Sequence, residues 1–222
     1  MKRYSREPED GKRFTRRFDA FYGRFGGIYD AAVRFLPVWR SWLLRTLPHL
    51  RGPRVLEVSF GTGFLLTQCA ARYEAHGLDL NERMVGIART NLARAGLTAR
   101  LCRGTVEALP YPDGSFDSVV STMAFSGYPD ARKALGEMTR VLRPDGALVM
   151  LDVNFPKDGN RIGTRLVELW KSTGDIVRDM HGLFREFRLD CSDTEVGGCG
   201  SIHLFVATRR PEVTPAQEGP VP

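Results

Sequence analysis

Short apolar segments alternate with amphipathic segments through the middle of this chain, from residue 54 to residue 152. The apolar segments have the length of strands and predict five of them, at Arg54–Val58, Glu74–Leu78, Ala99–Arg103, Phe116–Ser121 and Ala147–Asp152. The intervening segments carry apolar positions at a helical period and predict helices at Phe64–Arg72, Glu82–Ala95 and Ala131–Val141. Strands that alternate with helices indicate a parallel sheet covered on both faces, and right-handed crossovers make this sheet doubly wound.

The C-terminal part of the chain departs from this alternation. A helix is predicted at Ile162–Val177, an apolar-alternating segment around Leu183–Leu189, and a strand at Ile202–Thr208. A glycine-rich turn at residues 196–200 separates the last two segments, which favours an antiparallel addition at one sheet edge. The fold class is therefore α/β, with a mostly parallel seven-stranded sheet and an antiparallel C-terminal edge strand.

The two ends of the chain differ from its middle in composition. Residues 1–12 are polar and charged and residues 211–222 are rich in proline, so both are expected to be disordered tails. Residues 13–25 and 28–47 are predicted as helices that break at Gly26 and Gly27. The boundaries are thus a basic tail at 1–12, one domain at 13–210 whose N-terminal helices span 13–50, and a second tail at 211–222.

Composition narrows the class of protein. The chain has 222 residues, 42% of them hydrophobic, and no apolar run of membrane-spanning length. Four cysteines without zinc-like spacing predict free thiols and no metal site, and the cytoplasm is the expected location. The net charge is +6, and many of the basic residues lie among aromatics in the first 24 positions. Such a segment suits an anionic membrane surface, a phosphate-bearing substrate or nucleic acid, or a helix that packs its aromatics and solvates its arginines.

A glycine-rich turn directly after the first strand carries the candidate chemistry. Gly61 and Gly63 let the backbone approach a ligand at the carboxyl end of a strand, and Asp79 ends the next strand, where its carboxylate can accept hydrogen bonds from ribose hydroxyls. The third glycine of a dinucleotide fingerprint is missing, which disfavours a nicotinamide-dependent oxidoreductase. Glu57, within the first strand, would repel phosphates and attract an amine. S-adenosylmethionine, which has a ribose, a sulfonium and an α-amine but no phosphate, fits these residues.

Four ordered motifs give the chain a resemblance to the class I S-adenosylmethionine-dependent methyltransferases over residues 29–152. They are the strand and turn at residues 55–63, the segment 77–84, the loop 104–117 and the turn 141–148. Within that family the chain looks most like the ubiquinone/menaquinone C-methyltransferases and the bacterial phosphatidylethanolamine N-methyltransferases. The resemblance implies a Rossmann-like methyltransferase fold with lid helices ahead of the first strand.

The resemblance also implies a role for each matching residue. Gly61, Thr62 and Gly63 would approach the methionine moiety, Glu57 would bind its α-amine, and Asp79 would hold the ribose. Leu80 and Met84 would flank the adenine, Thr105, Val106 and Glu107 would line its edge, Ser121 would lie near the reacting methyl, and Tyr29 would belong to the lid. Thr105 departs from the acidic residue often found at its position, although a threonine hydroxyl can replace it.

The acceptor is left open within a class. The resemblance and the basic N-terminus favour an enzyme that methylates a small-molecule or lipid-like acceptor, of phospholipid amine or quinone type, with peripheral contact at an anionic membrane. The alternatives are a non-catalytic S-adenosylmethionine-binding scaffold subunit and an RNA or protein methyltransferase. The segment 123–129 is aromatic and apolar and lacks the Asn-Pro-Pro-Tyr pattern of nucleic-acid amine methylation, which disfavours a nucleic-acid target. No catalytic base is assigned from the sequence, and each of the four histidines suits a structural role better. The oligomeric state is not determined either.

Overall fold

The computed structural model describes residues 4–16, Ala20 and 37–210. Residues 11–16 are helical (α1). The remaining helices are α2 (Pro37–Leu44), α3 (Phe64–Ala70), α4 (Glu82–Arg94), α5 (Ala131–Val141), α6 (Arg161–Thr173) and α7 (Met180–Glu186). The strands are β1 (Arg54–Val58), β2 (Glu74–Asp79), β3 (Arg100–Arg103), β4 (Phe116–Thr122), β5 (Leu142–Val153), β6 (Leu189–Gly197) and β7 (Ile202–Arg209). The rest of the predicted helices at 13–25 and 28–47, and the predicted tail at 211–222, lie outside the described residues.

The strands form one sheet in the order β3-β2-β1-β4-β5-β7-β6. The first five strands are parallel, and β7 runs antiparallel to both β5 and β6. The predicted fold class is confirmed, and the antiparallel C-terminal strand lies one place in from the edge that β6 occupies. The order reverses at β1, so the carboxyl ends of β1 and β4 meet at the switch point where such sheets bind ligands.

Side chains alternate across the sheet and build one apolar layer on each face. Val55 of β1 points into a layer with α2, α3, α4 and α6, whereas Leu56 points into a layer with α5 and α7. Both residues are fully buried. Both faces of the sheet are therefore packed, and the loops at its carboxyl edge start from this packed sheet.

Two predicted elements differ in the structure. The segment around Leu183–Leu189 was expected to be a strand, but α7 occupies residues 180–186 and β6 begins only at Leu189. Asp179 caps α7 because its side chain accepts a hydrogen bond from the Gly182 amide, and Arg188 ends the helical stretch with a φ of 54°. The predicted helix Ile162–Val177 ends earlier, at Thr173, because Gly174 adopts a φ of 114°.

The turn predicted at residues 141–148 falls inside a strand. β5 begins at Leu142, which pairs with Phe116, and the register with β4 shifts before Ala147 pairs with Ser118. Residues 143–145 are exposed and bulge out of the sheet between these two pairings. The turn chemistry of this segment is therefore used in a bulge.

Candidate functional site

The backbone turns sharply after β1 through three residues in the left-handed region. Ser59, Gly61 and Gly63 have φ values of 52°, 56° and 77°. Ser59 carries a side chain in this region, and its Oγ accepts a hydrogen bond of 2.9 Å from the Tyr128 hydroxyl. A Cβ on Gly63 would lie 2.7 Å from the Cβ of Ala88 in α4, so only glycine lets α3 begin this close to α4.

Asp79, at the end of β2, is bound to this turn. Its Oδ2 accepts a hydrogen bond of 2.8 Å from the Gly61 amide, and its Oδ1 accepts one of 2.9 Å from the Asn81 amide. The carboxylate is 7% exposed. Asp79 therefore fixes the loop after β1 and the loop after β2 to each other.

A cavity opens beside this carboxylate at the carboxyl edge of the sheet. Seven of the residues proposed from the sequence line it: Gly61, Asp79, Leu80, Met84, Thr105, Val106 and Glu107. They come from three regions of the chain: the turn after β1, the end of β2 with the first turn of α4, and the loop after β3. The cavity thus has a polar wall at Asp79 and an apolar wall at Leu80, Met84 and Val106.

Four other proposed residues lie behind this wall, and one cannot be placed. Thr62 is 3% exposed and its carbonyl accepts a hydrogen bond from the Asn91 side chain, while Gly63 packs against α4. Ser121 is 1% exposed and its Oγ is 3.4 Å from the Tyr128 hydroxyl, so it reaches the cavity only through that wall residue. Tyr29 lies outside the described residues.

Glu57 is the fourth residue behind the wall. Its side chain is 2% exposed, and its buried Oε2 has no hydrogen-bond partner among the described residues. Burial raises the pKa of this carboxyl well above its usual range, and the nearby charge of Asp79 raises it further. No cation among the described residues forms an ion pair with this buried acid.

Two carboxyls that the sequence did not single out are joined through Ser126, and one of them, Asp175, lines the cavity. Ser126 joins them: its amide donates to Asp152 Oδ2 at 3.1 Å, and its hydroxyl donates to Asp175 Oδ1 at 2.8 Å. Burial raises the pKa of Asp152 to about 6, with a further contribution from the charge of Asp175. Burial also raises the pKa of Asp175, which lines the cavity. The glycine that ends α6 at position 174 was the one sequence signal that Asp175 belongs to a loop.

The N-terminal segment closes one side of the site. Residues 4–10 were expected to be part of a disordered tail, but Ser5 exchanges hydrogen bonds with the backbone of Val177, and Glu7 forms a bidentate ion pair at 2.8 Å with Arg178. Thr15 of α1 then reaches the cavity wall. The segment is ordered because Arg178, which is 6% exposed, offers it a buried cation.

The histidines lie away from the cavity wall. His181 and His203 share the carboxylate of Asp193, at 3.0 Å and 2.7 Å. Among the described residues, no group of three or more histidine, cysteine, aspartate or glutamate side chains is arranged to hold a metal ion. The described helices include none long and apolar enough to span a bilayer.

Comparison with known proteins identifies the family to which this domain is similar. Residues 56–150 match the family described as a methyltransferase domain. The fold is similar to a solved structure from Thermotoga maritima titled as an S-adenosylmethionine-dependent methyltransferase, a possible histamine N-methyltransferase. The likeness has a TM-score of 0.68 and 21% identity, and it covers 86% of this chain and 99% of the other. Residues 56–150 therefore form a methyltransferase domain, and the fold is that of an S-adenosylmethionine-dependent methyltransferase, as the motifs predict.

Two curated relatives narrow the comparison. The chain is 39% identical, over 59% of its length, to a demethylmenaquinone methyltransferase of Thermus thermophilus. It is 30% identical, over 67% of its length, to the ubiquinone/menaquinone biosynthesis C-methyltransferase UbiE of Geotalea uraniireducens. The matches span 63% and 66% of these two relatives, so about a third of each relative has no counterpart in the match.

Proposed function

We propose that this chain binds S-adenosylmethionine in the cavity beside Asp79 and transfers its methyl group to a small-molecule or lipid-like acceptor of the quinone type. The proposal rests on one observation above the others. The Asp79 carboxylate and the Gly61 turn are hydrogen bonded to each other at the wall of one cavity, within the methyltransferase domain.

The residues around this cavity fit the cofactor. The Asp79 carboxylate lines the cavity and is of the chemical type that binds ribose hydroxyls, and Leu80 and Met84 offer apolar faces to an adenine. The unpartnered Oε2 of Glu57 is the acceptor that an α-ammonium group would satisfy, either directly or through a water molecule. When bound, the cofactor supplies a methyl group that its sulfonium makes electrophilic.

A quinone-type acceptor is supported by the names of the two relatives and by the carboxyl pair. A ring carbon of a reduced quinone becomes nucleophilic when a neighbouring hydroxyl loses its proton, so this chemistry needs a base. In our proposal Asp175 accepts that proton, and the ring carbon gains the methyl group while S-adenosylhomocysteine leaves. The hydrogen on that carbon is then lost to solvent as a proton, which restores the aromatic ring, and Asp175 returns its proton to the oxygen. Ser126 holds the carboxylate in place through its hydrogen bond of 2.8 Å.

Access and location belong to the same proposal. In this proposal one domain spans residues 13–210, and its residues 13–50, which include Tyr29, form the lid. The Glu7–Arg178 ion pair would hold the segment before the lid over the cavity, and this cover would exclude water. Lys12, Arg13 and Arg16 are exposed. They suit a cytoplasmic protein that touches an anionic membrane peripherally.

Calorimetric titration with S-adenosylmethionine tests the cofactor. Asp79→Asn is expected to lower the affinity about 100-fold, because a neutral amide replaces a charged acceptor of two hydrogen bonds. Asp145→Asn, at an exposed carboxylate in the β5 bulge, is the matched control and should bind normally. A folded native chain that does not bind S-adenosylmethionine would contradict the proposal.

An acceptor screen that measures release of S-adenosylhomocysteine tests the reaction. A reduced short-chain demethylquinone is expected to be methylated and phosphatidylethanolamine is not. Turnover of the phospholipid instead would move the acceptor to the amine class. Cofactor binding without turnover of either compound would favour the non-catalytic scaffold.

A further inference from the structure

Exposed apolar side chains are concentrated on two helices. Five large hydrophobic residues of the described chain are exposed: Val38, Leu44, Leu80, Ile162 and Leu169. Leu80 lines the cavity, and the other four lie on α2 and α6. Ile162 and Leu169 are 64% and 61% exposed. Isolated exposed apolar residues are ordinary on a protein surface, but here four of the five lie on two helices.

The two helices adjoin one another. The indole rings of Trp39 in α2 and Trp170 in α6 have centroids 6.1 Å apart. Ile162 and Leu169 are seven residues apart, so they lie on one face of α6, about 10 Å from each other along the axis. Val167 of the same helix is fully buried. The packing of α6 on the sheet therefore leaves Ile162 and Leu169 directed at solvent.

This face is basic. Arg161 and Arg165 flank the apolar pair on α6, and Arg40 and Arg45 lie on or next to α2, all four exposed. Arg45, Arg161 and Arg165 form no ion pair with any described residue. The exposed carboxylate on these helices, that of Glu168, pairs with Lys171 at 3.0 Å. We call Val38, Leu44, Ile162, Leu169 and these four arginines the α2–α6 surface.

We propose that the α2–α6 surface docks on an anionic lipid bilayer. Its exposed apolar side chains, accompanied by exposed arginines, match an interface in which apolar groups enter the acyl boundary while guanidinium groups reach lipid phosphates. A protein partner would need carboxylates opposite each arginine, whereas an anionic membrane supplies that charge everywhere. The occupant is therefore lipid.

The C-terminal end of α6 leads directly to the cavity. α6 ends at Thr173, and Asp175, two residues later, lines the cavity wall. A bilayer against α6 would place this wall near the source of a lipid-like acceptor. This consequence rests on the proposed function, whereas the docking itself does not.

Vesicle sedimentation tests the docking. The native chain is expected to sediment with phosphatidylcholine vesicles that contain one quarter phosphatidylglycerol, and much less with pure phosphatidylcholine vesicles. The double variant Ile162→Ser/Leu169→Ser should lower the partition coefficient at least about tenfold, because two apolar side chains no longer leave water. Both side chains are exposed, so the fold should be retained, and an unchanged affinity for S-adenosylmethionine checks this.

Charge is tested with a matched pair of variants. Arg165→Glu, on the α2–α6 surface, should weaken binding to the anionic vesicles severalfold and reduce its salt dependence. Arg89→Glu makes the same change of charge on the exposed face of α4, at the far edge of the sheet, and should have little effect.

Three results would overturn the inference. The first is a native chain that fails to sediment with anionic vesicles, and the second is a serine double variant that binds as well as the native chain. The third is light scattering that shows a native dimer and a monomeric serine variant, which would make the surface a contact between two copies of this chain. None of these results depends on methyl transfer. A native chain that does not bind anionic vesicles would also remove the peripheral membrane contact from the proposed function, but it would leave the proposed cofactor and acceptor unchanged.

Discussion

Replacing Arg178 by alanine should destabilise the fold far more than replacing its ion-pair partner. The guanidinium of Arg178 donates to the carbonyls of Phe125, Tyr128 and Ile176 as well as to the Glu7 carboxylate. Its side chain is 5% exposed, whereas that of Glu7 is 43% exposed. Arg178→Ala would leave three buried carbonyls without this donor, and we expect a loss of about 3–5 kcal/mol in the free energy of unfolding.

The partner variant separates the two contributions. Glu7→Ala removes a half-exposed carboxylate but leaves the carbonyl contacts, so the loss should be about 1 kcal/mol or less. Arg132→Ala is the matched control, because Arg132 forms an ion pair of 2.8 Å with Glu186 in which both side chains are exposed. It should change stability by less than about 1 kcal/mol.

Urea denaturation followed by circular dichroism measures these differences, and thermal melting should show a drop of about 10 °C for Arg178→Ala. Equal losses for Arg178→Ala and Glu7→Ala would refute the reasoning, because the carbonyl contacts would then contribute nothing. Glu7→Ala should still loosen the N-terminal segment, which faster proteolysis before residue 16 would reveal.

Three further predictions concern the site. Gly63→Ala should lower the free energy of unfolding by about 1–3 kcal/mol, because the new Cβ would lie 2.7 Å from that of Ala88 and φ at this position is 77°. Gly86→Ala, at a position in α4 where a Cβ has no neighbour within 4 Å, should stabilise the protein slightly, and the urea midpoints of the two variants test this difference. Because the pKa of Glu57 is raised in the folded protein, its contribution to stability is fully present at low pH and is lost as the pH rises above the usual value of about 4.5. Glu57→Gln should therefore reduce the fall in urea midpoint between about pH 5 and pH 8, and an equal fall in both proteins would contradict this prediction. Asp175→Asn should lower kcat about 100-fold or more without changing cofactor affinity, and Asp175→Glu should restore part of the rate. The native activity should decline as the pH falls through the raised pKa of Asp175, and Asp175→Asn should not show this decline; an unchanged rate in Asp175→Asn would show that Asp175 is not the base.

The order of strands and helices follows from local patterns. β1 has the bounds that its apolar run predicts, and α5 does as well. The strands are short apolar runs that end in turn residues, and the helices carry one apolar face, so each element contains its own signal. The prediction of a strand around Leu183–Leu189 was wrong because this segment contains both the end of the seven-residue helix α7 and the first residue of β6. An apolar run this short fits the helical and the strand period equally well.

The sequence also predicts that the loops lining the cavity lie together at one edge of the sheet. Gly61 and Asp79 end neighbouring parallel strands, and parallel strands bring their carboxyl ends to one edge of a sheet. The sequence could not tell which motif residues face the cavity and which lie behind it. Glu57 and Ser121 belong to strands whose side-chain direction is set by the twist and register of the whole sheet.

The sequence by itself determined the sheet, the glycine turn and the acidic residue that meets it, because these depend on residues close in the chain and on a parallel register. Only the tertiary structure decided that Glu7 meets Arg178, 171 residues away, and that Ser126 joins Asp152 to Asp175. It also decided that the exposed apolar residues of α2 and α6 fall on adjoining helices. These contacts join segments far apart in the chain, and no local periodicity records which distant segments will pack together.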